Sequence, residues 1–240
     1  MTSSPLILNK VLVPKEFNKV ASSYDFATKL SQGYQDDLDT SVQRMELKGN
    51  EKLLDLCCGT GKSTLACLKQ LPSGCIIGVD NSEGMLKEAK HKFAEEIKSG
   101  KICFLLQDAM NLDFPDNSFD AVFMAYGLRN MPDYQKSIRG IYRILKPNGK
   151  LCIHDYSLSK NIFTKAYWFI LGYGFIVPLC TFLSRSSKIY TYLIKSVLTF
   201  LSPNEIKFLL INNGFESVLA QSHSSWRKPI LYSIIGTKRA

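Results

Sequence analysis

This sequence has few histidines, and its cysteines show no regular spacing. Three histidines occur in 240 residues, and the seven cysteines show neither a C-x-x-C pair nor the cysteine and histidine spacing of a zinc site. These absences argue against a zinc finger and against a disulfide framework. We therefore expect no metal centre, and we interpret most of the cysteines as small buried side chains in a reducing compartment.

Internal repeats, low-complexity tracts and obvious linkers are also missing. With 45% hydrophobic residues, the chain has enough apolar material for one domain with a full core. The stretch through Val13 contains no apolar run long enough for a signal peptide and no arginine. We expect a cytoplasmic protein, in one alternative peripheral at the membrane, and nothing in the sequence supports organelle targeting.

Acidic residues are scarce in the last third of the chain. Residues 157–240 contain ten lysines and arginines against only Glu205 and Glu216, and they are rich in aromatic residues. This composition is typical of surfaces that bind nucleic acid or an anionic membrane, and it does not choose between the two.

One long apolar run lies in the same third. Residues 166–183 carry no charge, and their length reaches the lower limit for a membrane span. Three residues interrupt the run: Gly172, Gly174 and Pro178. Four interpretations are open: a broken segment that lines a pocket, a segment that docks on a membrane interface, a true span, or plain packing of Trp168, Phe169 and Phe175 on the core.

The strongest local pattern is a strand followed by a glycine turn and a helix. Residues 52–57 form a short apolar run without alternation, as in a central parallel strand. Gly59 and Gly61 permit a tight turn and the close approach of a ligand. Apolar residues then recur at helical spacing from Thr64 to Leu71.

Two further strands are predicted to lead into carboxylates at the same edge of the sheet. Asp80 follows the apolar run 75–79, about 20 residues beyond the glycine turn, where an acid accepts hydrogen bonds from ribose hydroxyls. Asp108 follows the strand 102–106, and its carboxylate can accept from an adenine amino group. Asn81 and Ser82 lie just before the next helix, where they can act as caps.

Three kinds of nucleoside-containing ligand can bind to acids at such an edge: a dinucleotide, a nucleoside triphosphate and S-adenosylmethionine. A dinucleotide site needs a third glycine where Thr64 stands, and a triphosphate loop needs a glycine where Leu56 stands, so both are disfavoured. S-adenosylmethionine carries an ammonium group and a ribose but no phosphate. Asp55 and Asp80 suit its ammonium side and its ribose, which favours this third ligand.

Strands and helices continue to alternate beyond that edge. The pattern predicts a strand over 121–125, a helix over 137–145 that ends at the turn 146–149, and a fifth strand from Leu151. Alternation of this length predicts a doubly wound α/β domain with its site at the carboxyl ends of the strands.

Several motifs carry a resemblance to a known family. They are LLDLCCGTG, GVDNSEGML, FPDNSFDAVFMAYGLRN and IYRILKPNGKL, together with VASSYD near the N-terminus. The set resembles the class I S-adenosylmethionine-dependent methyltransferases, specifically the ubiquinone/menaquinone biosynthesis C-methyltransferases, and residues 127–130 are its most specific element. The resemblance implies a Rossmann-like sheet of seven strands, mostly parallel with the last strand antiparallel, and a helical lid inserted after strand five.

The resemblance also implies a division of the chain and a set of site residues. We predict one methyltransferase domain with four parts: an N-terminal helical cap (1–50), a cofactor-binding core (51–156), a helical lid and acceptor region (157–212) and the last two strands (213–240). The predicted contacts of S-adenosylmethionine, and of its product S-adenosylhomocysteine, are Asp55, Gly59, Thr60, Gly61, Asp80, Asn81, Met85, Asp108 and Ala109. The predicted catalytic residues, facing a hydrophobic quinol acceptor, are Tyr24, Arg129, Asn130 and Asp155.

Methylation of a quinol ring carbon requires that a ring hydroxyl lose its proton. Arg129 can stabilise the oxyanion or orient a water, Asn130 can fix a ring oxygen, and Tyr24 or Asp155 can complete a proton relay. The family tends to have glutamate where this chain has Asp155, which is shorter by one methylene. A salt bridge under the loop is the alternative role for Arg129, and we interpret His154 as structural.

Other functions stay open beside this one. The chain could methylate another lipid-like or aromatic small molecule, serve as a catalytically degenerate cofactor-binding partner, or bind RNA through its basic surface. We expect no nucleic acid, because a separate binding module and an N-P-P-Y-like motif are both missing. Peripheral membrane contact through 163–201 and a homodimer are further expectations.

Overall fold

Seven strands form one sheet in the computed structural model, which describes residues 10, 18, 33–184 and 188–240. The strands are β1 (Lys52–Leu56), β2 (Cys75–Asp80), β3 (Ile102–Leu106), β4 (Phe119–Ala125), β5 (Leu145–Tyr156), β6 (Phe215–Ser222) and β7 (Leu231–Lys238). The α-helices are α1 (Tyr34–Gln43), α2 (Lys62–Gln70), α3 (Glu83–Lys92), α4 (Ala94–Lys98), α5 (Tyr134–Ile144), α6 (Ile162–Leu171), α7 (Val177–Ser184), α8 (Lys188–Thr199) and α9 (Pro203–Asn212).

The order across the sheet is β3–β2–β1–β4–β5–β7–β6. Neighbours from β3 to β5 pair in parallel, and β7 pairs antiparallel with both β5 and β6. The predicted fold, a mostly parallel doubly wound sheet with an antiparallel last strand, is confirmed. The order of strands reverses between β1 and β4, which is where sheets of this kind open a crevice for a ligand.

Both faces of the sheet are covered, as the apolar run in β1 predicts. Leu54 packs in one core cluster with Val122, whereas the next residue back, Leu53, packs with Phe123 on the opposite face. All four side chains are fully buried. Because successive side chains of a strand point to opposite faces, a strand buried on both sides must be apolar throughout.

Serine side chains cap the first turn of two helices. Ser82 accepts a hydrogen bond from the Met85 N–H at the start of α3, at 3.2 Å. Ser202 and Glu205 form a reciprocal capping box at the start of α9. The cap of α3 is therefore Ser82, and the side chain of Asn81 stays available to a ligand at the carboxyl end of β2.

The fifth strand starts earlier than the predicted Leu151. The ladder pairs Phe119 with Leu145 and then Ala121 with Lys150, so the predicted turn is present as an irregularity inside β5. Asn148 has a φ of 63°, which an asparagine tolerates and which lets the chain bulge without leaving the sheet.

In the described part of the chain, three α-helices lie between β5 and α9, where the helical insertion is predicted. The first, α6, continues through a π-helical turn at Gly172–Ile176 into α7. A Cβ at Gly172 would come within 2.5 Å of Ile194, so the turn brings this backbone close to α8. Helices are therefore present where the insertion is predicted, and their identity as an inserted lid stays a prediction.

Most of the apolar run in this insertion faces outward. Trp168 is fully buried, but Phe169 and Phe175 are 53% and 66% exposed, so plain core packing is wrong for two of the three aromatic residues. Residues Ile162–Leu179 are long and apolar enough to cross a membrane by length and composition alone, with 11% of them buried.

Candidate functional site

A cavity opens at the carboxyl ends of β1 to β4. The predicted site residues that line it are Gly59, Thr60, Asp80, Asn81, Met85, Asp108, Ala109, Arg129 and Asn130. Residues separated by up to 71 positions are therefore brought to one place, as the parallel sheet predicts. Tyr24 lies outside the described residues.

The glycine turn gives the cavity its floor. Gly59 and Gly61 have φ angles of 54° and 86°, in the left-handed region that favours glycine. A Cβ at Gly61 would come within 2.5 Å of the Phe93 ring, whereas a Cβ at Gly59 would meet nothing within 4 Å. Gly61 therefore serves packing at the start of α2, and Gly59 leaves open space on the ligand side.

Asp55 lies beneath this turn and is not among the described residues that line the cavity. Its Oδ2 accepts hydrogen bonds from Ser63 Oγ at 2.8 Å and Thr64 Oγ1 at 2.6 Å, both on α2. Its Oδ1 has no hydrogen-bond partner among the described residues. Burial raises the pKa of Asp55 to about 7. In this geometry Asp55 ties the turn to α2, and its predicted direct contact with a cofactor stays a prediction.

Asp80 lines the cavity and also holds the turn. Its two oxygens accept from the Gly59 N–H and the Ser82 N–H, each at 2.9 Å. Burial raises the pKa of Asp80, and these backbone hydrogen bonds oppose the rise. Since each carboxylate oxygen has two lone pairs, Asp80 retains acceptor capacity for a ligand hydroxyl.

A buried ion pair lies at the opposite end of the cavity, where Arg129 lines the cavity and Asp155 is not among the described lining residues. Arg129 Nη1 lies 2.6 Å from Asp155 Oδ1, and Arg129 is 6% exposed while Asp155 is fully buried. Burial raises the pKa of Asp155, and the Arg129 guanidinium opposes the rise. Arg129 also lines the cavity, so the two roles considered for it, salt bridge and site residue, coexist in one side chain.

Asn130 connects this end to the helical insertion. Its Nδ2 donates to the Tyr126 carbonyl at 3.1 Å, and its Oδ1 accepts from the Tyr192 hydroxyl of α8 at 3.1 Å. The insertion therefore reaches the cavity rim through α8. Among the described lining residues none comes from 166–183, so the interpretation of that run as pocket-lining is wrong for this structure.

The lining residues that sequence reasoning missed include Lys10, Tyr34 and Tyr126. Lys10 Nζ donates to the Tyr134 hydroxyl at 2.8 Å, and burial lowers its pKa to about 8. Tyr126 stacks on Tyr34 with ring centroids 5.3 Å apart. No local pattern marks these residues, because their partners are distant in sequence.

His154 is buried in a polar cluster, in line with a structural role. It lies 2.6 Å from Ser41 Oγ through Nδ1 and 2.9 Å from the Tyr126 hydroxyl through Nε2. Burial lowers the pKa of His154 well below its usual value, so its ring is neutral. Because Tyr126 lines the cavity, this structural histidine is one contact away from the site.

The fold defines the class of the protein. The chain is similar in structure to an S-adenosylmethionine-dependent methyltransferase from Thermotoga maritima, with a TM-score of 0.65, 19% identity, and coverage of 93% of this chain and 98% of that one. At this identity the likeness shows the fold alone, and that fold is the class I S-adenosylmethionine-dependent methyltransferase fold.

Sequence comparison identifies the family within that class. The model of the ubiE/COQ5 methyltransferase family matches residues 7–230. A Lactococcus lactis protein named demethylmenaquinone methyltransferase is 38% identical over 90% of this chain and 86% of its own length. A Lactobacillus johnsonii protein of the same name is 36% identical over 85% of this chain and 84% of its own length. The chain belongs to the ubiE/COQ5 methyltransferase family, and the protein is a methyltransferase.

Proposed function

We propose that the protein transfers the methyl group of S-adenosylmethionine to a ring carbon of a prenylated quinol in menaquinone or ubiquinone biosynthesis. The observation that best supports this proposal is one cavity with two different ends. The carboxylates of Asp80 and Asp108 lie at one end, and Asn130 lies at the other beside Arg129, which is paired with Asp155. The names of the relatives from Lactococcus and Lactobacillus support a demethylated naphthoquinol as acceptor.

The residues at the carboxylate end fit the cofactor. When bound, S-adenosylmethionine supplies a methyl group on a sulfonium, which is already electrophilic. Asp80 would accept from the ribose hydroxyls, and Asp108 would accept from the adenine amino group beside Met85 and Ala109. The open face at Gly59 would accommodate the amino-acid end.

Thr60, Gly61 and Asn81 complete the predicted cofactor set. Thr60 and Asn81 line the cavity, and Gly61 starts α2 beneath the turn. Asp55 acts by holding the glycine turn against α2. Two carboxylates at this end disfavour phosphate and suit a cationic ligand.

The residues at the other end prepare the acceptor. The Arg129 guanidinium stabilises the ring oxyanion that makes the neighbouring carbon nucleophilic, and Asn130 orients a ring oxygen. Asp155 keeps the guanidinium in place, and Tyr24 or Asp155 completes the proton relay. Holding the ring in line with the methyl group supplies on the order of 7 to 11 kcal/mol of the barrier.

The outward apolar side chains of α6 support contact with a membrane surface. Ile162, Phe163 and Ile170 are 74%, 79% and 63% exposed on a helix next to a basic region. A prenyl tail held in lipid could then deliver its ring to the rim near α8. We place the enzyme at the cytoplasmic face of the membrane, with 157–212 as acceptor region and 51–156 as cofactor core.

A transfer assay tests the proposal. The protein is incubated with methyl-labelled S-adenosylmethionine and dithionite-reduced demethylated benzoquinol or naphthoquinol lipids, and label is counted in the organic phase, with Asp80→Ala as control. We expect label on a quinol lipid with wild type only. Cofactor binding without label on either quinol would overturn the acceptor assignment, and label on a tail-less aromatic compound instead would favour the alternative acceptor class.

A further inference from the structure

Tyr126 contacts both side chains that are proposed to face the acceptor. Its carbonyl accepts from Arg129 Nη1 at 2.9 Å and from Asn130 Nδ2 at 3.1 Å. The two side chains thus share one backbone oxygen as an anchor. The direction of that carbonyl contributes to where the guanidinium and the amide point, beside the Asp155 carboxylate and the Tyr192 hydroxyl.

The backbone of Tyr126 has an unusual conformation. Its φ is 56°, in the left-handed region that a bulky side chain rarely adopts. Relaxation to a negative φ would turn the peptide units around Tyr126 and move the carbonyl away from Arg129 and Asn130. Some contact must hold the residue in this state.

His154 supplies that contact twice. The Tyr126 N–H donates to the His154 carbonyl at 2.7 Å, and the Tyr126 hydroxyl lies 2.9 Å from His154 Nε2. His154 is itself fixed by Ser41 Oγ, 2.6 Å from Nδ1, and it is fully buried. A neutral imidazole donates at one nitrogen and accepts at the other, so it can satisfy Ser41 and Tyr126 together.

We propose that Tyr126 and His154 form a positioning pair, in which the hydroxyl–imidazole hydrogen bond keeps Tyr126 in its left-handed conformation and thereby aims Arg129 and Asn130 into the cavity. The inference rests on the proposed function in one respect, that Arg129 and Asn130 serve the acceptor. Tyr126 is a positioning residue here, because it acts through its neighbours.

Tyr126→Phe tests the pair, since it removes the hydroxyl and keeps the ring that stacks on Tyr34. We expect kcat with reduced quinol to fall at least about tenfold, the Kd of S-adenosylmethionine to stay within about twofold, and amide hydrogen exchange of the segment 126–131 to become faster. Tyr142→Phe is the matched control, because Tyr142 packs on Phe215 away from the cavity and should change none of the three.

A double variant separates coupling from general damage. Tyr126→Phe with His154→Leu removes both partners and leaves neither polar group buried alone. We expect its kcat to be no lower than that of the less active of the two single variants, Tyr126→Phe and His154→Leu, because the effects of residues that act as a unit are not additive. A loss of kcat in the double variant equal to the product of the two single losses would overturn the pair. A Tyr126→Phe variant with the kcat and the amide exchange of wild type would also overturn it.

The exchange measurement also separates this inference from the proposed function. It needs no acceptor, so it reports on the Tyr126 turn even if wild type methylates no quinol. Unchanged exchange over 126–131 in Tyr126→Phe would overturn the pair whatever the acceptor is. Faster exchange in that variant, together with no quinol methylation by wild type, would overturn only the acceptor assignment.

Discussion

The two ends of the cavity are held together in different ways. At the cofactor end, backbone N–H groups bind the carboxylates, as in Gly59 to Asp80 and Met110 to Asp108, each at 2.9 Å. At the acceptor end, buried side chains bind each other, as in the Arg129 to Asp155 ion pair and the Ser41 to His154 contact, each at 2.6 Å. The first end depends on the backbone of the turns that follow the strands, and the second depends on which side chains are buried together.

The largest expected effect is at the acceptor end, at Arg129. Arg129→Ala should reduce kcat by a factor of at least about 100 because the oxyanion loses its cation, with S-adenosylmethionine binding retained. It also leaves Asp155 buried without its partner, which costs about 3 to 5 kcal/mol of stability. Quinol methylation kinetics, calorimetric cofactor binding and thermal unfolding measure the three quantities.

A neutral pair serves as the control for that loss of stability. Arg129→Gln combined with Asp155→Asn removes both charges, so the melting temperature should recover while kcat stays low. Loss of cofactor binding in this stable variant would show that Arg129 belongs to the cofactor end, and the contrast between the two ends would fail.

The cofactor end should respond in the opposite sense. Asp80→Asn removes a charged acceptor for the ribose and weakens the support of Gly59, so the Kd of S-adenosylmethionine should rise about 10- to 100-fold. Once the cofactor is saturating, the KM for the quinol should be nearly unchanged. Asp113→Asn, an exposed carboxylate in a neighbouring loop, is the control, and equal affinities in the two variants would contradict the assignment.

Substitutions on the outward face of α6 should have a smaller effect, on membrane binding, and should leave both ends of the cavity unchanged. Phe163→Ser with Ile170→Ser removes two exposed apolar side chains, and binding to vesicles of neutral and anionic phospholipid should fall about tenfold or more. Phe208→Ser is the control, because Phe208 is 64% exposed on α9 instead.

Turnover separates the membrane contribution from damage to the site. A short-chain quinol in detergent should be methylated equally by wild type and by both serine variants. Equal sedimentation of all three proteins with vesicles would show that α6 does not bind the membrane.

The smallest effect concerns the pH dependence of stability. Burial raises the pKa of Asp55 from 3.8 to about 7, so the folded protein binds this proton more tightly than the unfolded chain does. The contribution of Asp55 to stability is therefore fully present below about pH 4 and is lost as the pH rises through about 7. The slope has an upper limit of about 1.4 kcal/mol per pH unit.

Urea unfolding of wild type and Asp55→Asn between pH 4 and 8 checks this expectation. The advantage of wild type over the variant should shrink with rising pH across that window. A difference in the free energy of unfolding that is constant with pH would mean that Asp55 is ionised throughout.

The sequence predicted the cofactor end closely because its signals are local. The predicted third strand, 102–106, agrees with β3, and the first and second agree with β1 and β2 to within one residue. Asp80 and Asp108, at the ends of the second and third strands, line the cavity, since parallel strands bring their carboxyl ends to one edge, whereas Asp55 of β1 does not line it.

At the acceptor end, Arg129 and Asn130 line the cavity, and their catalytic roles stay a prediction. These two residues came from a resemblance, whereas the role of Tyr126 as their common anchor has no sequence signal. A tyrosine at positive φ is disfavoured by local energetics, so tertiary contacts such as those with His154 must select it. The outward orientation of Phe169 and Phe175 was also missed, because periodicity shows which residues share a face and not what covers that face.

The position of β7 has a consequence for how the chain is made. Of the described strands β7 is the last to leave the ribosome, yet it fills the gap between β5 and β6 and supplies Ser233, which contacts Ser41 of α1 at 2.8 Å. A nascent chain that has not yet released 231–238 therefore carries an unpaired edge on β5 and lacks this link to α1. The sheet can close only after residues 231–238 have been released, so translation products interrupted before this strand should be targets of chaperones and proteases.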